Sequence, residues 1–334
     1  QTRLRQSLHW MPTRIAMNLD NGIVLTILIL LSSISGCLGS DDDKSEDETG
    51  LEVPTWEVGD WWLYTFSTPD YSDDTARLVV ASDEEEGGTA YMLAISSLTE
   101  AKRHSVLNHN PFLGRMTHSN LSTFENGVSQ NVLSFPFSKA NSWTFSLFTH
   151  EWIATVIDVE GSAATVSATS ADGSKIDYIF DMSLKFFRTF IWKNADGVDQ
   201  LRMQLADYGE NHTGEVFFVR GGDLYNGTWM DSGIDFEIRD SFFVDDHPND
   251  GEWNEMVYFY DVECGSGSSS ITLTLRDHLS SSVITKIWGP GSSEKGVIGS
   301  IEYPTEEYTL TATFTGNSNL RIMIAGAITY SWTL

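Results

Sequence analysis

Hydrophobic and polar positions alternate with a period of two along most of this chain, and turn residues break the alternation at a regular beat, a pattern that predicts strands. In "VPTWEVGDWWLYTF", Gly59-Asp60 forms a turn, after which Trp61, Leu63 and Thr65 alternate with Trp62, Tyr64 and Phe66. Both faces of this strand are apolar, so both should be covered. A looser echo at 135–148, "FPFSKANSWTFSLF", repeats the order of turn, Trp and aromatic strand. Between them "LTEAKRHSVLNHN" has helical spacing and is stopped by Pro111. Asn126-Gly127, Asp172-Gly173 and Asp196-Gly197 tolerate the positive φ angles of tight turns and mark hairpins. Residues 143–205 therefore read as an antiparallel meander of about five strands.

Past the polar stretch "YGENHTGEV", strand-like runs fall at 236–244, 257–262, 271–276, 283–288, 308–314, 320–325 and 328–334, separated by Gly and Ser turns. The expectation is an all-β protein with minor α. An antiparallel meander or half-barrel-like domain over 51–215 should be followed by a β-sandwich or jelly-roll domain over 216–334. Roughly 280 residues can bury enough apolar surface for two such domains without disulfides.

The first fifty residues follow another pattern. The apolar segment 22–34 spans about 13 residues, short of the roughly 20 that cross a bilayer, and reads as a signal-peptide core. It ends in Ile34-Ser35-Gly36-Cys37: a branched apolar residue, two small residues that suit a narrow peptidase cleft, and a cysteine whose thiolate can take a lipid. This resembles the lipobox of secreted lipoproteins. The resemblance implies that residues 1–36, a signal peptide with an upstream extension, are removed and that Cys37 becomes the lipidated N-terminus. Ordinary secretion with an incidental cysteine is the competing account. Residues 37–50, which hold "SDDDKSEDETG", are too charged to collapse onto a core and read as a disordered acidic tether. The coil from 38 to 53 would average about 22 Å and reach roughly 50 Å when extended.

With "WEVGDWWLYTF", this leader is similar to secreted lipoproteins of archaeal type, in which a "W..GD.W.Y" strand opens a β-rich domain comparable with lipid-carrier half-barrels. The second half is similar in rhythm to jelly rolls appended to secreted peptidases and adhesins. The resemblance implies an extracytoplasmic location on the cell membrane, held by lipid; it implies no single activity, because fold does not fix function.

Charge narrows the partners. Taking the leader's three basic residues and one acidic residue from the chain's 20 and 47 leaves a net charge of −29. Such a surface has no basic patch to release phosphate counterions, which excludes nucleic acid, and it is repelled by anionic headgroups. A covalent anchor is then the device that would hold it on a membrane, two acyl chains better than one. If Cys37 carries lipid, Cys264 is the remaining cysteine and reads as a small half-buried residue.

Candidate chemistry is sparse. In "FFVDDHPNDGEWNE", Asp245, Asp246, Asn249, Asp250 and Glu252 place five oxygen-bearing side chains in eight residues, a set calcium could use. The spacing departs from an EF-hand loop at Pro248, and a solvated acidic loop is the simpler account in so acidic a protein. His104, His109 and His118 do not share a helical face and have no nearby cysteine to complete a zinc set. The sequence holds no Gly-x-Ser-x-Gly, His-Glu-x-x-His or phosphate-cradling glycine loop, so no catalytic residue is assigned. Trp61 or Trp62 could line an apolar ligand pocket, though consecutive strand residues face opposite ways. Asn120, Asn211 and Asn226 begin glycosylation sequons. The expected function is non-catalytic, a lipid-anchored binding or envelope-organising protein. Its partners would be the membrane and a protein, glycan or apolar small molecule. The alternatives are a divalent-metal-dependent secreted hydrolase and a carrier of an apolar ligand in the first domain. No cofactor is assigned beyond the candidate calcium.

Overall fold

The computed structural model describes residues 50–69, 74–84, 90–107, 110–230, 233–244, 253–302 and 307–334. Cys37, His109 and the acidic loop from Asp245 to Glu252 lie outside them. Strands β1 (Trp61–Ser67), β2 (Asp74–Glu84) and β3 (Ala90–Ile95) lead to the helix α1 (Leu98–Leu107), then to the short β4 (Gly114–Thr117), β5 (Thr123–Glu125) and β6 (Val128–Gln130). The meander is β7 (Ser142–Leu147), β8 (His150–Glu160), β9 (Ala163–Ser170), β10 (Lys175–Asp181), β11 (Phe186–Lys193) and β12 (Asp199–Gly209). The second half holds β13 (Glu215–Met230), β14 (Phe236–Phe243), β15 (Glu255–Cys264), β16 (Ser270–Asp277), β17 (Ser282–Trp288), β18 (Ser293–Glu302), β19 (Glu307–Thr315) and β20 (Ser318–Thr333).

The protein is all-β with one helix among the described residues. A long antiparallel sheet runs β18-β15-β20-β13-β3-β2-β1-β12-β11-β10-β9-β8-β7, with β4 added beside β3, and its path does not close into a barrel. A second sheet, β14-β19-β16-β17, stacks on the β15–β20–β13 part of the first. The boundary expected after residue 215 falls at the start of β13. There Phe217 pairs with Ile95 of β3, so the strands on either side share one sheet.

One face of the long sheet carries the largest core, where Trp62, Tyr64 and Phe66 of β1 meet Phe180, Phe186, Phe187 and Phe190. The segment between α1 and β7 lays Phe112, Leu121, Val132 and Phe137 over that face. The most deeply buried of these aromatics have partners for their polar ends: Tyr64 Oη donates to Phe187 O at 2.6 Å, Trp62 Nε1 to Leu184 O at 2.7 Å and Tyr178 Oη to Val132 O at 2.8 Å. The second core lies between the two sheets and is built from Ile271, Leu273, Leu310 and Phe314 against Leu320, Ile322 and Ile324. The outer face of the smaller sheet presents Thr272, Thr274, Thr309, Thr311 and Thr313, β-branched residues that suit a half-exposed strand.

Three sequence expectations need correction. The meander has six strands, because Gly161, at φ 57°, turns β8 into β9 without an Asn-Gly or Asp-Gly signature. The runs at 320–325 and 328–334 are one strand, β20, and the stretch after the polar link, where no strand is expected before 236, forms the long β13. In both, glycine is present for close approach instead of for a turn. A Cβ on Gly326 or Gly222, which are paired across the two strands, would come within 2.7 or 2.8 Å of the Trp253 ring. A Cβ on Gly221 would sit 2.4 Å from the Ser105 carbonyl oxygen of α1.

That last contact is testable. Gly221→Ala should cost about 1–3 kcal/mol of unfolding free energy in a denaturant titration, since a backbone oxygen must be displaced. Gly289→Ala, where a Cβ meets nothing within 4 Å, should stay within about 0.5 kcal/mol of wild type. Equal behaviour of the two variants would refute the close seating of α1.

Candidate functional site

The outer face of β7, β8 and β9 carries a groove of about 880 Å³, open to solvent. Alternation builds it. Phe145, Trp152, Ala154, Val156, Val166 and Ala168 point to the core, which sends Thr144, Ser146, Ile153, Thr155, Ser167 and Thr169 to the other face. Ile153 is 64% exposed and Ile157 52%, an uncommon use of isoleucine. The pairing register of β8 with β9 slips between Val156 and Asp158, and Ile157 stands in that bulge. Gln130, from the β5–β6 hairpin, and Glu151 complete the lining. Gln130 Oε1 accepts the Ser146 amide at 2.8 Å and Glu125 Oε1 accepts the Thr149 amide at 2.9 Å, fastening the hairpin beside β7.

At one end of the groove, Ser, His and Asp side chains come together. His150 Nδ1 lies 2.6 Å from Phe148 O, and its Nε2 lies 3.2 Å from Asp172 Oδ2. Ser170 Oγ donates to Asp172, as do the Ser174 amide at 3.0 Å and Ser174 Oγ at 2.9 Å. These hydrogen bonds, Ser170's foremost, hold the Asp172 carboxyl well below the usual carboxylate range. The arrangement differs from a catalytic triad: both serines address the carboxylate, and both imidazole nitrogens already have neighbours. It fixes the β9–β10 turn. Beside it Phe148 stacks on Trp192, ring centroids 4.0 Å apart and 5° from parallel.

The residues singled out in the sequence are dispersed. Trp62 is 2% exposed and packs against Trp56 and Phe186. Trp61 lies on the opposite face, its ring against Gly209 and under the Arg77 guanidinium at 4.5 Å. Neither lines the groove. The strand β1 is covered fully on one face and in part on the other. Cys264 is buried, not half-buried, with its Sγ 4.0 Å from Trp288 O, and burial raises its thiol pKa. His104 packs edge-on to Phe66, while His118 Nε2 pairs with Asp83 at 2.7 Å. Among the described residues no group of three or more His, Cys, Asp or Glu converges as a metal site, and no helix is long and apolar enough to cross a membrane. Asn120 is half-buried, while Asn211 and Asn226 are exposed. The groove itself had a readable signal: "EWIATVIDV" is apolar on both faces, as "WWLYTF" is.

A second concentration of charge lies under α1. Lys102 Nζ reaches Glu255 at 2.8 Å and Ser300 at 3.0 Å, and Thr329 donates to the same glutamate. Arg103, buried, pairs with both Asp74 and Glu100. Burial pushes the Glu100 carboxyl up to about 7, outweighing the attraction of Arg103; Asp74, sharing that cation, adds to the rise.

No protein-family model matches the chain, and no curated protein does. Solved structures give remote likenesses. An exo-β-1,3-galactanase from Phanerochaete chrysosporium aligns at 9% identity over 78% of this chain and 68% of its own, with a TM-score of 0.18. The structure of the infectious bursal disease virus Gx strain aligns at 11% identity over 84% and 69%, also at 0.18. A family 43 arabinoxylan arabinofuranohydrolase from Bacillus subtilis aligns at 11% identity over 76% and 64%, at 0.16. Likeness this remote assigns no activity to this chain.

Glu100 makes stability depend on pH. Its folded pKa is about 7 against an ordinary 4.5, so between those values the folded chain holds a proton that the unfolded chain has released. The stabilisation is complete below about 4.5 and is lost as pH rises through 7. Glu100→Gln, which imitates the protonated acid, should gain about 1–3 kcal/mol relative to wild type between pH 5 and pH 8. Denaturant titrations at both values check this; a difference independent of pH would refute it.

Proposed function

We propose that this chain is a non-catalytic, lipid-anchored extracytoplasmic binding protein whose ligand seats in the β7–β9 groove. The observation that carries the proposal is the floor of that groove. Two exposed isoleucines alternate with threonine and serine hydroxyls over about 880 Å³, a volume suited to a small ligand. Methyl and hydroxyl groups at strand spacing fit an uncharged amphipathic molecule such as a glycan or glycolipid headgroup, and the net charge of −29 disfavours polyanions. The opposite face of the same strands is filled by core side chains, so this reading seats the ligand outside the sheet. The anchor reading rests on Ile34-Ser35-Gly36-Cys37 followed by the acidic tether.

Two measurements test the parts separately. Cys37→Ser should move the protein from the detergent phase to the aqueous phase on phase separation; a variant that stays with detergent would end the anchor reading. Native mass spectrometry of Cys37→Ser protein, purified gently from a membrane-bearing host, should show a discrete excess of some hundreds of daltons. Ile153→Asp, at an exposed position that tolerates substitution, should abolish that excess with unchanged melting. A bare mass without the substitution, or an excess that survives it, would remove the groove as the site.

A further inference from the structure

We infer that Asn211 and Asn226 are sites of N-linked glycosylation and that Asn120, despite its sequon, is not. The inference requires export but not ligand binding in the groove. Attachment joins the asparagine Nδ2 to the anomeric carbon of a lipid-phosphate-linked oligosaccharide. The bond from that carbon to the phosphate oxygen breaks, the lipid phosphate leaves, and the amide proton passes to a base of the transferase. The folded product must therefore leave Nδ2 free of internal bonds and give the sugar open solvent.

Asn211 meets both conditions. It lies between β12 and β13 with Asn211 and Thr213 both exposed, and its side chain makes no hydrogen bond among the described residues. Its φ of 57° is one that asparagine tolerates better than other side chains. The connection is pinned from behind, by His212 N to Gly59 O at 2.9 Å and by the exchange of hydrogen bonds between Gly214 and Leu334 at 3.1 and 3.0 Å. Asn226 meets them by strand geometry. Asn226 and Thr228, two apart on β13, share an exposed face. Gly227 lies between the Tyr225 and Trp229 rings on the other.

Asn120 fails both. Its Nδ2 donates to Asn131 Oδ1 at 2.7 Å, while its Oδ1 accepts from Thr117 at 2.6 Å and from Ser122 at 2.8 Å. Ser122, the hydroxyl residue of that same sequon, is 0% exposed, and its Oγ also lies 2.5 Å from Asn131 Oδ1. A sugar on Asn120 would break this cluster, so molecules carrying it would not reach the folded, exported pool.

The test is expression of the full chain behind the secretion signal of a eukaryotic host, followed by enzymatic glycan release in heavy-oxygen water and peptide mass spectrometry. Asn211 and Asn226 should be converted to labelled aspartate in most secreted molecules, and Asn120 in none. Asn211→Gln and Asn226→Gln should each remove one glycan step from gel mobility, whereas Asn120→Gln should leave mobility unchanged. Label at Asn120, or none at Asn211 or Asn226 while a co-expressed control glycoprotein is fully occupied, would overturn the assignment.

Discussion

Two sixteen-residue strands, β13 and β20, pair along almost their whole length, and the rest of the structure depends on that ribbon. Period-two alternation gives it two apolar faces. Ala325 and Ala327 face the main core beneath α1, while Leu320, Ile322 and Ile324 face the core shared with the smaller sheet. A strand buried on both sides can serve two layers only if neither face is crowded. The α1 side is therefore made of Ala and Gly, which let a helix backbone come to the strand itself. At its start the same ribbon touches β3 through Phe217, and the meander continues the sheet from there.

This arrangement explains which elements could be read in the sequence. Strands with one clean apolar stripe, such as β16 and β19, and hairpins with Asn-Gly or Asp-Gly turns are local in origin, so their pattern is visible in a short window. Gly221, Gly222 and Gly326 are visible in the same window but mean the opposite of a break. Their partners, Ser105 and Trp253, are distant in sequence, and only the folded neighbour decides whether a glycine turns the chain or admits a contact. The site follows the same logic. Tryptophan drew attention because it can line a pocket, yet Trp62 is needed where β1 crosses the aromatic core. Ile153 and Ile157 look like ordinary strand residues until the sheet leaves their face uncovered.

Charge is distributed unequally between interior and surface. The chain has few cations, and several are committed to carboxylates inside or at the edge of the fold: Arg103 to Asp74 and Glu100, Lys102 to Glu255, Lys185 to Asp60, Arg188 to Asp181. Asp60 and Asp181 are buried, and removing either partner's cation would strand a carboxylate in the interior. The excess of acids over cations leaves the surface strongly acidic, a charge that opposes association through like surfaces.

Edge protection and groove formation are one device. β7 ends the long sheet, and a terminal strand exposes amides that recruit further strands. Here the β5–β6 hairpin is laid beside it with side chains in place of a ladder: Gln130 takes the Ser146 amide and Glu125 the Thr149 amide. A hairpin paired strand to strand would have extended the sheet and left its outer face flat. Held by side chains instead, it contributes Gln130 to the groove lining above the isoleucine and threonine floor. The depression thus follows from how the sheet is stopped, and its floor is a part of the long sheet's outer face where isoleucines are left exposed beside hydroxyls.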